Sequence, residues 1–124
     1  MIEDKDELAK VRENLEAWLA AFNAKDIDAL FALYDEASIY ANAEAPLLRG
    51  IAEIRPWYEQ AFKSVEGRLL YREEAAIQDG NLALLIGAYY FEPPDGIAPP
   101  REANSTGRVA LVYRRNEEGN WRLM

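Results

Sequence analysis

The chain contains no cysteine and no histidine, and these two absences exclude several kinds of chemistry. Without cysteine there is no disulfide framework and no thiolate metal site, which fits a reducing compartment. Without histidine, the most frequent general base and transition-metal ligand of proteins is missing. Any proton transfer must use carboxylates, tyrosines or lysines. The sequence also has no metal-spaced cluster and no phosphate loop, so we expect no cofactor.

A long apolar run is also absent. No stretch approaches the roughly 20 apolar residues that a membrane-spanning helix needs, and the N-terminal segment is charged rather than leader-like. The formal net charge of -8 repels phosphate backbones and anionic lipid surfaces. We therefore expect a cytoplasmic protein that binds neither membrane nor nucleic acid. Because 50% of its 124 residues are hydrophobic, residues 1–124 can form one domain with its own core.

The first half of the chain has the patterns of helices. Apolar side chains at helical spacing predict a long first helix near the N-terminus. Asp26 is a good N-cap for a short second helix that ends at Tyr34. A third helix is expected after Gly50, with Pro56 near its first turn or bending the helix. Residues 38–42 are rich in β-formers and predict one short strand between the second and third helices.

The second half of the chain has the alternation of strands. The turn signal Asp79-Gly80-Asn81 predicts a β-hairpin, and four prolines place residues 93–103 in a loop at the rim of the sheet. The predicted strands cover residues 69–77, 82–91, 105–115 and 121–124. This order of elements predicts an α+β fold, in which a cone-shaped, strongly curved antiparallel sheet packs on three N-terminal helices.

Both faces of the strand over residues 82–91 are apolar, although a solvated face should carry polar residues. We expect the helices to cover one face and a second subunit to cover the other, which predicts a homodimer through the outer sheet face. The alternative is a strand that tolerates exposed aliphatic side chains. One face carries Leu82, Leu84 and Ile86, and the other carries Ala83, Leu85, Tyr89 and Phe91.

Three segments, Ala21–Tyr34, Arg49–Tyr58 and Gly107–Trp121, resemble the nuclear-transport-factor-2-like superfamily. The resemblance is to its ketosteroid isomerase and SnoaL-like polyketide cyclase branches in particular. It implies a cystatin-like roll in which a ligand enters between the helices and the concave face of the sheet. It does not imply one activity, because the superfamily hosts isomerases, cyclases, dehydratases and non-catalytic binding modules on the same cone.

The resemblance also implies which residues stand at the catalytic positions of the isomerases. That family uses a carboxylate base after the first strand, an oxyanion-binding tyrosine on the first helix and a protonated acid on a late strand. Matching the segments places Ala41, Trp18 and Leu111 at these three positions. Alanine and leucine cannot transfer a proton, and an indole offers only an N–H donor. We therefore predict no catalytic residue and no isomerisation by the family mechanism.

Two tyrosines match positions at which the isomerases keep tyrosines in the pocket floor. Tyr34 and Tyr58 could donate hydrogen bonds to a ligand oxygen, or they could be core tyrosines whose hydroxyls hydrogen-bond within the protein. The other candidates are mostly apolar, which is the usual lining of a site for a flat hydrophobic ligand. The helical spacing of Trp18, Phe22 and Trp57 is, however, more typical of core residues than of a ligand site. The candidate ligand-binding residues are Trp18, Phe22, Tyr34, Ala41, Trp57, Tyr58, Tyr89, Phe91, Val109, Leu111 and Tyr113.

Three functions remain open at this point. The first is a non-catalytic binder of a steroid-like or aromatic polyketide-like molecule, natural or engineered, since apolar residues fill the catalytic positions. The second is an isomerase-like or cyclase-like enzyme with relocated acid and base groups, which should show a carboxylate in the cavity with a raised pKa. The third is a non-catalytic dimerisation module. We favour the binder, because the absence of a catalytic base argues against an enzyme more strongly than the fold argues for one.

Overall fold

The computed structural model describes residues 4–41, 46–64, 67–92 and 107–124, in which three helices precede a four-stranded antiparallel sheet. The helices are α1 (Asp4–Ala24), α2 (Ile27–Phe31) and α3 (Gly50–Ser64). The strands are β1 (Ile39–Tyr40), β2 (Leu48–Arg49), β3 (Arg68–Asp79), β4 (Leu82–Glu92), β5 (Gly107–Arg115) and β6 (Trp121–Leu123). The predicted α+β class is confirmed. None of the described helices is both long and apolar enough to cross a membrane.

Helix α2 has the predicted cap but ends earlier than predicted. The Asp26 carboxylate accepts a hydrogen bond from the backbone N–H of Ala29 at 3.1 Å, which satisfies one free donor of the first turn. The helix ends at Phe31 rather than at Tyr34. Tyr34 instead forms an isolated β-bridge with Leu123 of β6. A contact with a residue distant in sequence therefore replaces the last turn of the predicted helix.

Helix α3 begins where it was expected, at Gly50, but it continues through its proline. Gly50 has a positive φ of 79°, and its N–H donates to the carbonyl of Ser38 at 2.7 Å. The Glu53 side chain accepts from the backbone N–H of Arg49 at 2.8 Å, which closes the first turn. Pro56 is the seventh residue of the helix, and its side chain is exposed. Pro56 therefore lies in the second turn, just beyond the first turn near which it was predicted.

The four-stranded sheet has the order β3-β4-β5-β6, and β1 and β2 form a separate two-stranded sheet. The predicted hairpin joins β3 to β4 through Gly80, whose φ is +61°. Strand β2 was not predicted, because two residues are too few to show alternation. The proline loop predicted at 93–103 and the predicted start of β5 at 105 lie outside the described residues.

The alternation along β4 separates a core face from an outer face, as predicted. Ala83 and Leu85 are 3% and 0% exposed, and they share the concave face with Tyr113 of β5, which is also 0% exposed. The concave face packs against the helices. The opposite face leaves Leu82 53% exposed and Val112 44% exposed.

Candidate functional site

Tyr58 lies at the centre of a cluster of aromatic side chains between the helices. Helix α3 places it one turn before Phe62, and α1 supplies Trp18 and Phe22 from two successive turns. Six other rings have centroids 5.6–6.5 Å from the centroid of Tyr58, namely Trp18, Phe22, Phe31, Tyr34, Tyr40 and Phe62. Most of these pairs are edge-to-face, the arrangement that aromatic quadrupoles favour.

Three polar atoms inside this cluster are joined by hydrogen bonds, and we call Trp18, Tyr34 and Tyr58 the Tyr34 network. The indole Nε1 of Trp18 donates to the Tyr34 hydroxyl at 3.1 Å, and the hydroxyls of Tyr34 and Tyr58 hydrogen-bond at 3.3 Å. The three groups own three donor hydrogens, but these two bonds use only two of them. Among the residues that the structure describes, these bonds leave one hydroxyl hydrogen of the network without an acceptor, and it could donate to a ligand oxygen.

The two hydroxyls of the Tyr34 network are held in their neutral form. Burial raises the pKa of Tyr34 to about 12, and burial also raises the pKa of Tyr58 well above its ordinary value, with a further contribution from the neighbouring Tyr34. Both phenols stay protonated near neutral pH, because desolvation penalises the phenolate. They can donate hydrogen bonds, but they are not poised to abstract a proton.

The concave face is partly open at one end and closed at the other. Along β5, Val109 and Leu111 are only partly buried, whereas Tyr113 is 0% exposed. Along β4, Tyr89 and Phe91 are partly buried, whereas Leu85 is 0% exposed. These partly buried side chains face inward on the register of the sheet, so a small molecule could contact them at the open end. Trp57 of α3 packs against Tyr40 of β1, with centroids 6.0 Å apart.

The structure brings most of the predicted site residues together. The rings of Trp18, Phe22, Tyr34 and Tyr58 contact one another, and Phe91 reaches this group with a centroid 6.3 Å from that of Phe22. The phenol of Tyr89 lies close enough to Tyr58 to contribute to its raised pKa. Val109, Leu111 and Tyr113 share the concave face with these strand residues. Ala41 is exposed and lies directly after β1.

Sequence reasoning missed four residues of the site. Phe62 follows Tyr58 at helical spacing, and Tyr40 lies in the predicted short strand, so both could have been proposed from their patterns. Phe31 contacts Tyr34 and Tyr58 with centroids 4.8 and 5.8 Å away. Tyr71 was missed because its place depends on Gly87 in the neighbouring strand.

Gly87 makes room for the ring of Tyr71 on the concave face. A Cβ atom at Gly87 would lie 2.5 Å from the Tyr71 ring carbon that bears the hydroxyl and 2.4 Å from the carbonyl oxygen of Arg72. Tyr71 is paired with Tyr89 in the ladder, so its ring leans along β4 toward the closed end of the sheet. Only a residue without a side chain permits this approach.

Among the described carboxylates, the pKa is shifted for Glu7, Asp35 and Glu74. Where their pKa is shifted, it is lowered, by Lys10 and Arg115 for Glu7, by the Ala37 N–H and Arg114 for Asp35, and by Arg108 for Glu74. These are surface ion pairs, such as the 2.6 Å contact of Arg108 Nε with Glu74. Within residues 4–41, 46–64, 67–92 and 107–124, no group of carboxylates is arranged to hold a metal ion.

Removing the Tyr34 hydroxyl should destabilise the protein more than removing the Tyr58 hydroxyl. Tyr34→Phe breaks both bonds of the network and leaves the buried Tyr58 hydroxyl without a partner, whereas Tyr58→Phe keeps the bond from Trp18 to Tyr34. We expect a loss of about 1–3 kcal/mol for Tyr34→Phe and about 1 kcal/mol or less for Tyr58→Phe. Urea denaturation of the two variants measures the order, and the reverse order would show that the network is not the one described.

Comparison with known proteins agrees with this architecture. A family model, the SnoaL-like domain, matches residues 15–124, and the chain belongs to this family. No curated protein sequence matches the chain at a significant level. The fold is that of the nuclear-transport-factor-2-like superfamily, as the resemblance implied, with a cystatin-like roll.

Solved structures show the same fold at low sequence identity. A conserved protein from Planctomyces limnophilus has a TM-score of 0.74 and 22% identity, with 97% of this chain and 91% of that chain covered. A ketosteroid isomerase-like protein from Erwinia carotovora atroseptica has a TM-score of 0.70 and 21% identity over 94% and 90% of the two chains. A nuclear-transport-factor-2-like protein with a cystatin-like fold from Novosphingobium aromaticivorans has a TM-score of 0.70 and 19% identity over 98% and 80%.

Proposed function

We propose that this protein binds a small hydrophobic molecule, steroid-like or aromatic polyketide-like, at the open end of its concave face, and does not catalyse the isomerase reaction of its relatives. The observation that carries the proposal is the Tyr34 network, with its remaining donor hydrogen, among aromatic rings and partly buried aliphatic side chains. A few placed hydroxyls in an apolar lining are what orient a flat ligand in such a site. The proposal holds for a natural and for an engineered pocket, because it depends only on the lining.

Two observations favour binding over proton-transfer catalysis. The isomerase positions carry Trp18, Ala41 and Leu111, and in this structure the Trp18 indole is already occupied as a donor to Tyr34. The shifted pKa values of Glu7, Asp35 and Glu74 are lowered, which is the opposite of the raised pKa that a general acid or base in an apolar cavity needs. The absence of cysteine makes the cytoplasm the compartment that we propose for this function.

A thermal-shift experiment with progesterone and an anthraquinone tests the proposal. A ligand present at 100 times its dissociation constant should stabilise the folded state by about 2.7 kcal/mol, which raises the melting temperature by several degrees. Incubation with a 5-ene-3-ketosteroid should give no conjugated product above the uncatalysed rate. Val109→Trp, which fills the open end, should abolish the shift.

The matched control is Ala20→Trp, which adds the same indole to an exposed position of α1. It should bind both probes as the unmodified protein does. Rapid isomerisation of the steroid would establish the enzyme hypothesis in place of the binder. A shift that survives in Val109→Trp would place the ligand elsewhere on the molecule.

We also propose that two copies of the chain associate through the outer face of the sheet. Ile77, Leu84 and Val112 stand in one row across β3, β4 and β5, and Ile77 is 59% and Val112 44% exposed in a single chain. In a two-fold symmetric interface this row meets its own copy, so each apolar side chain is covered by an apolar partner. This interface would be compatible with ligand binding, because it uses the face of the sheet opposite to the Tyr34 network.

A further inference from the structure

A second pair of tyrosines on the concave face differs from the Tyr34 network, and we call Tyr71 and Tyr113 the Tyr113 pair. Their hydroxyl oxygens are buried, and neither has a hydrogen-bond partner among the residues that the structure describes. Tyr113 as a whole is 0% exposed. A buried hydroxyl without a partner is costly to the folded state, so native proteins keep few of them and those few call for an explanation.

We propose that the Tyr113 pair is a second hydrogen-bonding site for the bound ligand, which holds a carbonyl oxygen at the end of the ligand that enters first. This inference rests on the ligand-binding function proposed above and names the chemistry of the ligand. The ligand would be a flat apolar molecule with a ketone at its leading end. Its body would lie against the partly buried residues of the open end.

The position of the pair supports this assignment. On β5 the inward-facing residues run from Val109 through Leu111 to Tyr113; the first two are partly buried, whereas Tyr113 is 0% exposed. Four residues of strand correspond to roughly 13 Å, so a ligand that enters at Val109 reaches Tyr113 only if it is elongated. The apolar stretch would contact the ring system, and the pair would contact its polar end.

Both phenols of the Tyr113 pair are able to donate a hydrogen bond. The Tyr71 and Tyr34 phenols contribute to the raised pKa of Tyr113, whose largest cause is burial. Burial is also the largest cause that raises the pKa of Tyr71 to about 12. Both hydroxyls therefore keep their protons near neutral pH. A carbonyl oxygen has two lone pairs and can accept from both.

Two sets of contacts hold Tyr71 and its strand in place. Gly87 lies so close to the Tyr71 ring that even a Cβ atom would overlap the ring carbon carrying the hydroxyl. On the helix side, Arg12 of α1 binds Glu73 with two hydrogen bonds of 2.9 and 3.0 Å, which pins the neighbouring segment of β3. A hydroxyl that is already fixed in position but has no partner is pre-organised for a ligand, because little conformational entropy is lost on binding.

The test compares 5α-androstan-3-one with 5α-androstane, two flat, elongated probes that differ by one ketone at one end, in the full chain and in Tyr71→Phe and Tyr113→Phe. We expect the ratio of the two dissociation constants to shift against the ketone by about fivefold in each variant, the equivalent of one lost hydrogen bond. The unfolding midpoint without ligand should stay the same or rise in both variants, because each removes a hydroxyl that has no partner. Tyr90→Phe, on the outer face of β4, is the matched control and should change neither quantity.

The outcomes separate this inference from the proposed function. If neither probe binds the unmodified protein, the ligand-binding function fails and this inference fails with it. If both probes bind and the ratio is unchanged in Tyr71→Phe and Tyr113→Phe, only the second site is overturned. A lower unfolding midpoint in Tyr113→Phe with an unchanged ratio would assign its hydroxyl to a partner, such as a buried water, in the ligand-free protein.

Discussion

Replacing Gly87 with alanine should lower the free energy of unfolding by roughly 1–3 kcal/mol or more, the range expected for overpacking a well-packed site. The added Cβ would stand 2.4 Å from the carbonyl oxygen of Arg72 and 2.5 and 2.6 Å from two ring carbons of Tyr71. The tyrosine ring could turn away, but the carbonyl belongs to the hydrogen-bonded ladder of β3 and β4 and cannot move alone. Urea denaturation measures the loss.

The matched control is Gly107→Ala on the neighbouring strand, also on the concave face. Its Cβ would meet only the hydroxyl end of Tyr89, at 3.3 Å, and a side chain of this kind can shift by a few tenths of an ångström. We expect a much smaller loss, and in Gly87→Ala combined with Tyr71→Leu only partial recovery, because the contact with Arg72 remains. A stability of Gly87→Ala within about 0.5 kcal/mol of the unmodified protein, the range of ordinary surface substitutions, would contradict this account.

Placing glutamate at Ile77 and Val112 together should convert the proposed dimer into a monomer. Both side chains lie in the exposed apolar row of the outer face, and a two-fold interface would bring the four new carboxylates of two subunits into one buried contact. Burying like charges without partners is strongly unfavourable. Light scattering coupled to gel filtration should report twice the chain mass of 14.1 kDa for the unmodified protein and the single mass for the variant.

The matched control for this experiment is Ala20→Glu. Ala20 is exposed on α1, a helix that packs against the opposite, concave face of the sheet. The control should remain a dimer. A monomeric unmodified protein would refute the proposed assembly, and a dimeric double variant would locate the interface on another surface. Ligand binding measured in parallel shows whether the site needs the second subunit.

The proposed ligand site and the proposed dimer interface use opposite faces of the same sheet. Alternation along β4 and β5 sends Leu85 and Leu111 to the concave face and Leu84 and Val112 to the outer face. Because successive residues point to opposite sides, one strand can serve a binding site and an interface with no shared side chain. Substitutions on one face should therefore leave the other function intact.

Much of the architecture could be predicted from the sequence, because its causes are local. A helical stripe, the Asp26 cap and the turn at Gly80 involve neighbours within a few residues, so patterns along the chain reveal them. The two-residue alternation assigned the faces of β4 correctly. The sequence also shows directly that histidine and cysteine are absent. It places Trp18, Ala41 and Leu111 at the positions that match the catalytic residues of the isomerases.

The tertiary structure alone decided which hydroxyls have partners. The bonds of the Tyr34 network join residues 16 and 24 positions apart, and no local pattern states that Trp18 donates to Tyr34 or that Tyr34 meets Tyr58. Long-range contacts also ended α2 at Phe31, through the bridge of Tyr34 to β6, and allowed Tyr71 to lie over Gly87. Periodicity reports which face a residue takes, whereas a hydrogen bond requires two atoms to come within about 3 Å, and only the packing of distant segments sets that distance.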